Sequence, residues 1–482
     1  MIGRVKVQSS MVHGAEDISG HMLALEQFPL SRNLNNFRYH GNPILRRGEP
    51  GEWDDGLIRD PMVFYDNDAA ADERFKLYYC GSRADSDGRM QIGLAYGSSL
   101  ERLRKHPGNP VVTMTESWEN AAIDPASVPD GEYPALNHTP YVFQMPGSHE
   151  YRMLYTAREC DEKGEYRFST ACVTSTDGKN WGNKRQVFTE FELGGRLYSP
   201  TKPIPIYRAE EDRHYLIFSG SLLREACAKN EGFVGLAVSE DGEQYTFEQV
   251  IVPQDQAHSI FDPHGLVTML GWYFLLITHD GDHAFDGDGN DGYPERWMVS
   301  RDLRTWYGSP KSIWDTYPDD GILYSHVSPL LTEAGTGYLV YDYGEPNVFG
   351  LAKVPLIGRP YNVVLERPRL GPGESTQIAD CYPAISLEPG QLLTLTVECT
   401  YAEAAHASAR VSVFTSYDGN HWDTEEQQDA VGNPVFGPMP LTPGARVRRT
   451  RQFPVGARFI KFTFTNPDSE SPLRDVKVVA AL

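Results

Sequence analysis

Short apolar stretches alternate with polar turns along most of the chain. Few windows carry the 3.6-residue period of an amphipathic helix, so the elements read as strands. From Ile58 onward these stretches come in threes. The opening strands fall at residues 60–65, 138–143, 199–204, 261–267 and 324–330. A second strand, rich in Tyr and Leu, follows at 75–80, 151–156, 214–218, 272–277 and 337–341. A third lies at 92–96, 168–175, 233–239, 297–300 and 349–354.

A turn marks the end of several groups. Ser175-Thr176-Asp177-Gly178-Lys179-Asn180-Trp181 recurs as Ser239 to Tyr245 and as Ser300 to Trp306. The Asp and Ser side chains suit bonding to the turn backbone, Gly supplies a positive φ, and the aromatic packs back on the sheet. Five groups at a period near sixty residues predict an all-β chain whose main part is a five-bladed β-propeller. The Gly41-Asn42-Pro43-Ile44-Leu45 stretch reads as an arm that pairs with the last sheet.

The character changes after Pro360. Glu366 to Gly373 reads as a Pro/Gly linker. Alternating strands at 392–397, 411–415 and 459–464 then predict a β-sandwich. The expected domains are residues 1–360, the propeller with its arm, and 361–482, the sandwich. Ser416 to Trp422 repeats the turn, so that turn marks β-structure generally.

Charge narrows the partners. Lys and Arg total 44 against 66 Asp and Glu, a formal charge of −22, which argues against nucleic-acid or anionic-membrane partners. Aromatic residues make up 11% of the chain, which suits both β-structure and sugar stacking. The 6 cysteines are scattered singly without metal-ligand spacing, as expected of reduced, buried residues. With no signal-peptide core and no long apolar run, the expected location is cytoplasmic. Oligomeric state leaves no trace in the sequence.

Asp60 carries the chemistry. Ile58-Arg59-Asp60-Pro61 places a carboxylate at the opening of a strand, extended or turned because a proline follows. A lone Asp-Pro is otherwise a common turn former. Together, Asn42-Pro43-Ile44-Leu45, Arg59-Asp60-Pro61 and Lys76-Leu77-Tyr78-Tyr79 resemble the first blade of the five-bladed propeller glycosidases. These are the arabinanase and xylosidase group (glycoside hydrolase family 43) and the related fructosidases (family 32). The resemblance spans about residues 40 to 360. It implies that Asp60 is the general base or nucleophile and that a carboxylate on a later blade is the acid. It also implies a tuning carboxylate on the second inner strand, where this chain has Asn137-His138-Thr139; Tyr198-Ser199-Pro200 opens the third.

Glycoside cleavage needs two carboxyl groups in different environments. Second strands return to the face where inner strands begin, which brings Glu159 and Asp280 to that face. Glu159 is the first choice of acid, and Asp262, opening the fourth inner strand, is the alternative. Arg59, His138, Lys202 and His264 would ring the axis as substrate-binding groups, with Asp280 and Tyr343 at the same edge. His326 matches the position where the arabinanase-like enzymes place a His beside a central cation. No cofactor is required, and a structural calcium in the channel is what the resemblance allows. Asp286, Asp288 and Asn290 have a calcium-loop spacing but lack its glycine and closing glutamate, so an acidic loop is the simpler reading.

The expected activity is hydrolysis of a plant- or microbe-derived oligosaccharide, such as an arabinofuranoside, a fructoside or a xyloside. Arg59 and Lys202 also suit an anion, which leaves a glycoside phosphorylase or transglycosidase open. The absent carboxylates on the second and third blades leave open a propeller that only binds glycans.

Overall fold

The structure is a computed structural model. It describes residues 34–84, 89–119, 135–145, 147–160, 166–222, 232–253, 260–269, 271–280, 295–308, 313, 323–329, 331–333, 335–343, 348–356, 361–387, 392–454 and 456–481. Within these residues the chain is all-β apart from short 3-10 turns.

Five antiparallel sheets follow one another along the chain, each a meander of hydrogen-bonded neighbours. Their inner strands are Leu57–Tyr65, Leu136–Gln144, Arg196–Arg208, Ile260–Met269 and Leu323–Val327. The second and third strands coincide with the apolar stretches at 75–80, 92–96 and their counterparts. A fourth strand escapes the hydrophobic pattern because it is short or polar: Leu103–Lys105, Gly182–Phe188, Thr246–Val252 and Tyr307–Gly308. In the fifth sheet this place is filled by Leu45–Arg46, with Leu45 opposite Phe349, so the N-terminal arm pairs with the last sheet as expected.

Alternation along each strand lets a sheet bury both faces. Tyr78 and Met62 of the first sheet pack with Val142 and Tyr155 of the second. Leu77 and Tyr79, pointing the other way, pack with Val340 and Phe349 of the fifth. Leu154 and Cys172 join the second sheet to Leu216 and Phe218 of the third. Ile204 and Ile217 join the third to Leu275 and Ile277 of the fourth. Phe274 and Trp297 join the fourth to Leu339 and Tyr341 of the fifth. Every sheet therefore packs on the next, and the fifth packs on the first.

The Ser-Asp turns form as their chemistry requires. Asp177 Oδ1 accepts from the backbone N–H of Lys179 and Asn180, both at 2.8 Å, and the Ser175 hydroxyl accepts from Gly178 N–H at 2.9 Å. The same bonds hold at Asp241, Asp302 and Asp418. Leu303 occupies the glycine place at φ 65°.

Residues from Tyr361 onward form two further four-stranded sheets around a separate core that includes Leu395, Val411 and Phe462. One correction applies here. The stretch expected as a linker is largely strand, Tyr361–Leu370, paired with Leu473–Ala481. It is the edge of its sheet, where Pro368 costs no ladder bond. The N-terminal segment ties the two parts together: Asn36 donates to Ser386 O at 2.9 Å, and Asn362 donates to Arg38 O at 2.8 Å.

Candidate active site

One recess draws on all five inner strands. Its lining includes Asp60, Thr139, Lys202, His264 and Val327, and it encloses about 350 Å³, the open space at its mouth included. Its lining also includes Pro61, Pro140, Pro203 and Pro263 of the first four inner strands, and Pro329 just after the fifth. These prolines explain the local backbone. The ladders of the first three sheets slip by one residue at Arg59/Met62, His138/Tyr141 and Thr201/Ile204, and that of the fourth slips between Pro263 and Gly265. A bulge is where a strand tolerates a residue that cannot donate to the ladder.

The residue before the proline in the first three bulges is left-handed: Asp60 at φ 52°, Thr139 at 50° and Lys202 at 52°. Non-glycine residues adopt this region rarely, at a cost of order 1–3 kcal/mol, and such strain concentrates at functional sites. Three consecutive sheets therefore present a carboxylate, a hydroxyl and an ammonium from equivalent positions.

The Asp60 side chain is 3% exposed, with Arg59 Nε at 3.4 Å and His138 Nδ1 at 3.7 Å. Burial pushes His138 down to about 4, against the pull of Asp60, so its imidazole is neutral at neutral pH. Beneath Asp60, burial and then the Asp60 charge push the Cys80 thiol well above its usual range. Burial likewise lifts Tyr141, which lines the recess, to about 12. Across the recess Lys202 Nζ is 2.5 Å from Asp262 Oδ2. His264 Nε2 contacts the hydroxyl of Thr278. The Arg158 guanidinium lies over Phe168, 5.7 Å from its centroid, and that ring is 6.5 Å from His138.

The structure brings Asp60, Arg59, His138, Lys202, Asp262 and His264 together around this recess. Tyr343 is placed elsewhere: it packs beside Tyr341, ring centroids 5.5 Å apart, in the core between the fourth and fifth sheets. The side chains of Glu159, Asp280 and His326 lie outside the described residues, as does the 282–292 loop. No group of three His, Cys, Asp or Glu side chains that could hold a metal gathers among the described residues.

Thr139 falls outside the expected site because the family pattern implies a carboxylate on that strand. The residues do carry a signal for it: the first four inner strands each have an X-Pro pair, at Asp60-Pro61, Thr139-Pro140, Lys202-Pro203 and Asp262-Pro263, and Ser328-Pro329 follows directly on the fifth.

Neither a protein-family model nor a curated protein matches the sequence. Solved structures do match. Sucrose-6-phosphate hydrolase from Lactobacillus gasseri superposes with a TM-score of 0.51 at 12% identity, over 96% of this chain and 96% of that one. The chain has the fold of the propeller glycosidases. A Bombyx mori family 32 β-fructofuranosidase gives a TM-score of 0.48 at 13% identity, over 96% and 98% of the two chains. A β-1,2-mannobiose phosphorylase from Listeria innocua gives 0.47 at 10% identity, over 66% and 96%.

Proposed function

We propose that the protein is a glycoside hydrolase built as a five-bladed propeller, residues 1–360, followed by a β-sandwich, residues 361–482. The observation that carries this reading is the Asp60 carboxylate. It is buried at the head of a recess shared by five sheets, on a left-handed backbone that aims it inward. The fold shared with the sucrose-6-phosphate hydrolase supports it.

In this reading Asp60 acts as nucleophile or as base on water. His138, neutral beside it, is a hydrogen-bonding group for a sugar hydroxyl that adds no charge to the site. The leaving oxygen takes a proton from a second carboxyl group. Lys202 engages Asp262, which leaves Glu159 the first choice of donor and makes Lys202 and Asp262 together a clasp for sugar hydroxyls. Tyr141, a neutral phenol, adds a hydrogen-bonding wall. The substrate is an oligosaccharide, a furanoside or a xyloside.

The test is a panel of aryl furanosides and pyranosides assayed with the native protein and with Asp60→Asn. Release by the native protein that disappears in Asp60→Asn supports the reading, and an active Asp60→Asn protein sinks it. Arg59 and Lys202 beside the recess favour a second reading, phosphorolysis. Turnover that requires inorganic phosphate decides for it.

A further inference from the structure

Asp60, Thr139 and Lys202 open three consecutive sheets with the same strained backbone. Something must hold three such residues in place. The groups in a position to do so lie on the second strands, at one equivalent place in the ladder. Cys80 pairs with Arg59 and Thr156 with His138, each opposite the residue just before the strained one. Ser219, opposite Thr201, continues the series in the third sheet. All three side chains are a small hydroxyl or a thiol.

Two of them bridge adjacent sheets. The Cys80 thiol lies beside the Asp60 carboxylate of its own sheet and the Thr139 N–H of the next. Thr156 repeats this one sheet on. Its hydroxyl is 2.8 Å from Thr139 Oγ1 and accepts from Lys202 N–H at 2.8 Å. Both Cys80 and Thr156 are fully buried. With the Lys202–Asp262 pair, hydrogen bonds run from Thr139 through Thr156 and Lys202 to Asp262, and Cys80 stands at the near end of this arc between Asp60 and Thr139.

We propose that Cys80 and Thr156 are positioning residues, which fix the left-handed openings of neighbouring sheets and so set the spacing of Asp60, Lys202 and Asp262 across the recess. The catalytic part of this inference rests on the glycosidase reading, whereas the arc itself does not.

Thr156→Val keeps the side-chain shape and removes the hydroxyl, whereas Thr156→Ser keeps the hydroxyl. Misplacing a catalytic group by an ångström can cost about a hundredfold. Thr156→Val is therefore expected to lower kcat by about 10- to 100-fold with little change in KM, and Thr156→Ser to stay near the native value. Hydrogen exchange supplies a readout independent of activity. The 199–206 segment is expected to exchange faster in Thr156→Val alone, and the 137–142 segment faster in Cys80→Ala. Native-like exchange at Lys202 in Thr156→Val overturns the proposal, as does an equal loss of kcat in the Val and Ser variants. Should Thr156→Val fail to fold, Cys80→Ala reads the same arc at Thr139: faster exchange there supports the proposal, and native-like exchange overturns it. If the native protein turns over nothing in the panel, the glycosidase reading fails and exchange alone decides the arc.

Discussion

Two kinds of buried carboxylate stand side by side between the first two sheets. Asp66 and Glu119 are saturated. Asp66 accepts from Lys76 Nζ at 2.6 Å, from Tyr151 OH at 2.9 Å and from the Asp68 N–H at 3.0 Å. Glu119 accepts from Tyr155 OH at 2.6 Å, Asn137 Nδ2 at 2.8 Å, Lys184 Nζ at 2.6 Å and two backbone amides. Burial opposes the charge on Glu119, but Lys184, Tyr155 and those amides outweigh it and hold the carboxyl below its usual range. Asp60 is as buried, with the Arg59 guanidinium at 3.4 Å and the neutral His138 imidazole at 3.7 Å, on a backbone held in a rare conformation. Asp66 and Glu119 have short bonds in every direction and serve as knots between segments. Asp60 instead faces a recess from a strained backbone, which is the arrangement a reacting group needs.

This contrast predicts opposite outcomes. Asp60→Asn is expected to cost about 10²–10⁴-fold in turnover while the melting temperature stays near native. Asp66→Ala removes one partner of an ion pair whose two side chains are each 1% exposed. Stranding Lys76 in this way is expected to cost about 3–5 kcal/mol of stability. Denaturant unfolding measures that loss, and kcat per folded molecule is expected to be unchanged. An Asp60→Asn protein that loses several kcal/mol, or an Asp66→Ala protein that folds but cannot turn over, breaks the distinction.

A medium effect sharpens it further. His138 refuses a proton down to about pH 4, whereas an unfolded His accepts one near 6.5. The unfolded chain therefore binds the extra proton between those values, and His138 subtracts stability as pH falls through that window. At roughly 1.4 kcal/mol per pH unit the difference reaches at most about 3 kcal/mol. His138→Gln is expected to flatten the fall in stability between pH 6.5 and 4 relative to the native protein. Parallel curves would contradict the burial of a neutral imidazole beside Asp60.

Much of this architecture was readable from the residues because it is local. Period-two alternation places three strands of every sheet, and the Ser-Asp turns announce themselves by residue type. The fourth strands did not show because Leu103–Lys105 and Tyr307–Gly308 are too short to carry a period. Tyr361–Leu370 hid behind Pro368 and the glycines that follow it, since edge pairing is decided by the partner strand. Asp60, Lys202 and Asp262 could be placed at one face from strand direction alone. Thr139 was masked by the expectation of a carboxylate, although its X-Pro pair matched the others. Cys80 and Thr156 had no such signal. Their role depends on which backbone N–H the next sheet brings against them, a contact between residues 59 positions apart for Cys80 and 46 for Thr156.

The smallest expected effect concerns a third kind of carboxyl group. Glu295 opens the third strand of the fourth sheet and is 1% exposed. Burial, and then the neighbouring Asp342 charge, push it well above the usual carboxylate range, with Arg38 pulling the other way. The native chain therefore keeps a proton there that the unfolded chain releases once pH exceeds about 4.3. That contribution is fully present at low pH and is lost as pH rises toward the folded value. Glu295→Gln carries a neutral amide of similar shape and has no proton to lose. Its melting temperature relative to native is expected to rise steadily from pH 5 to pH 8, by a few degrees at the upper end. An offset that stays constant across that range would mean that Glu295 ionises in place, supported like Glu119 rather than isolated from charge.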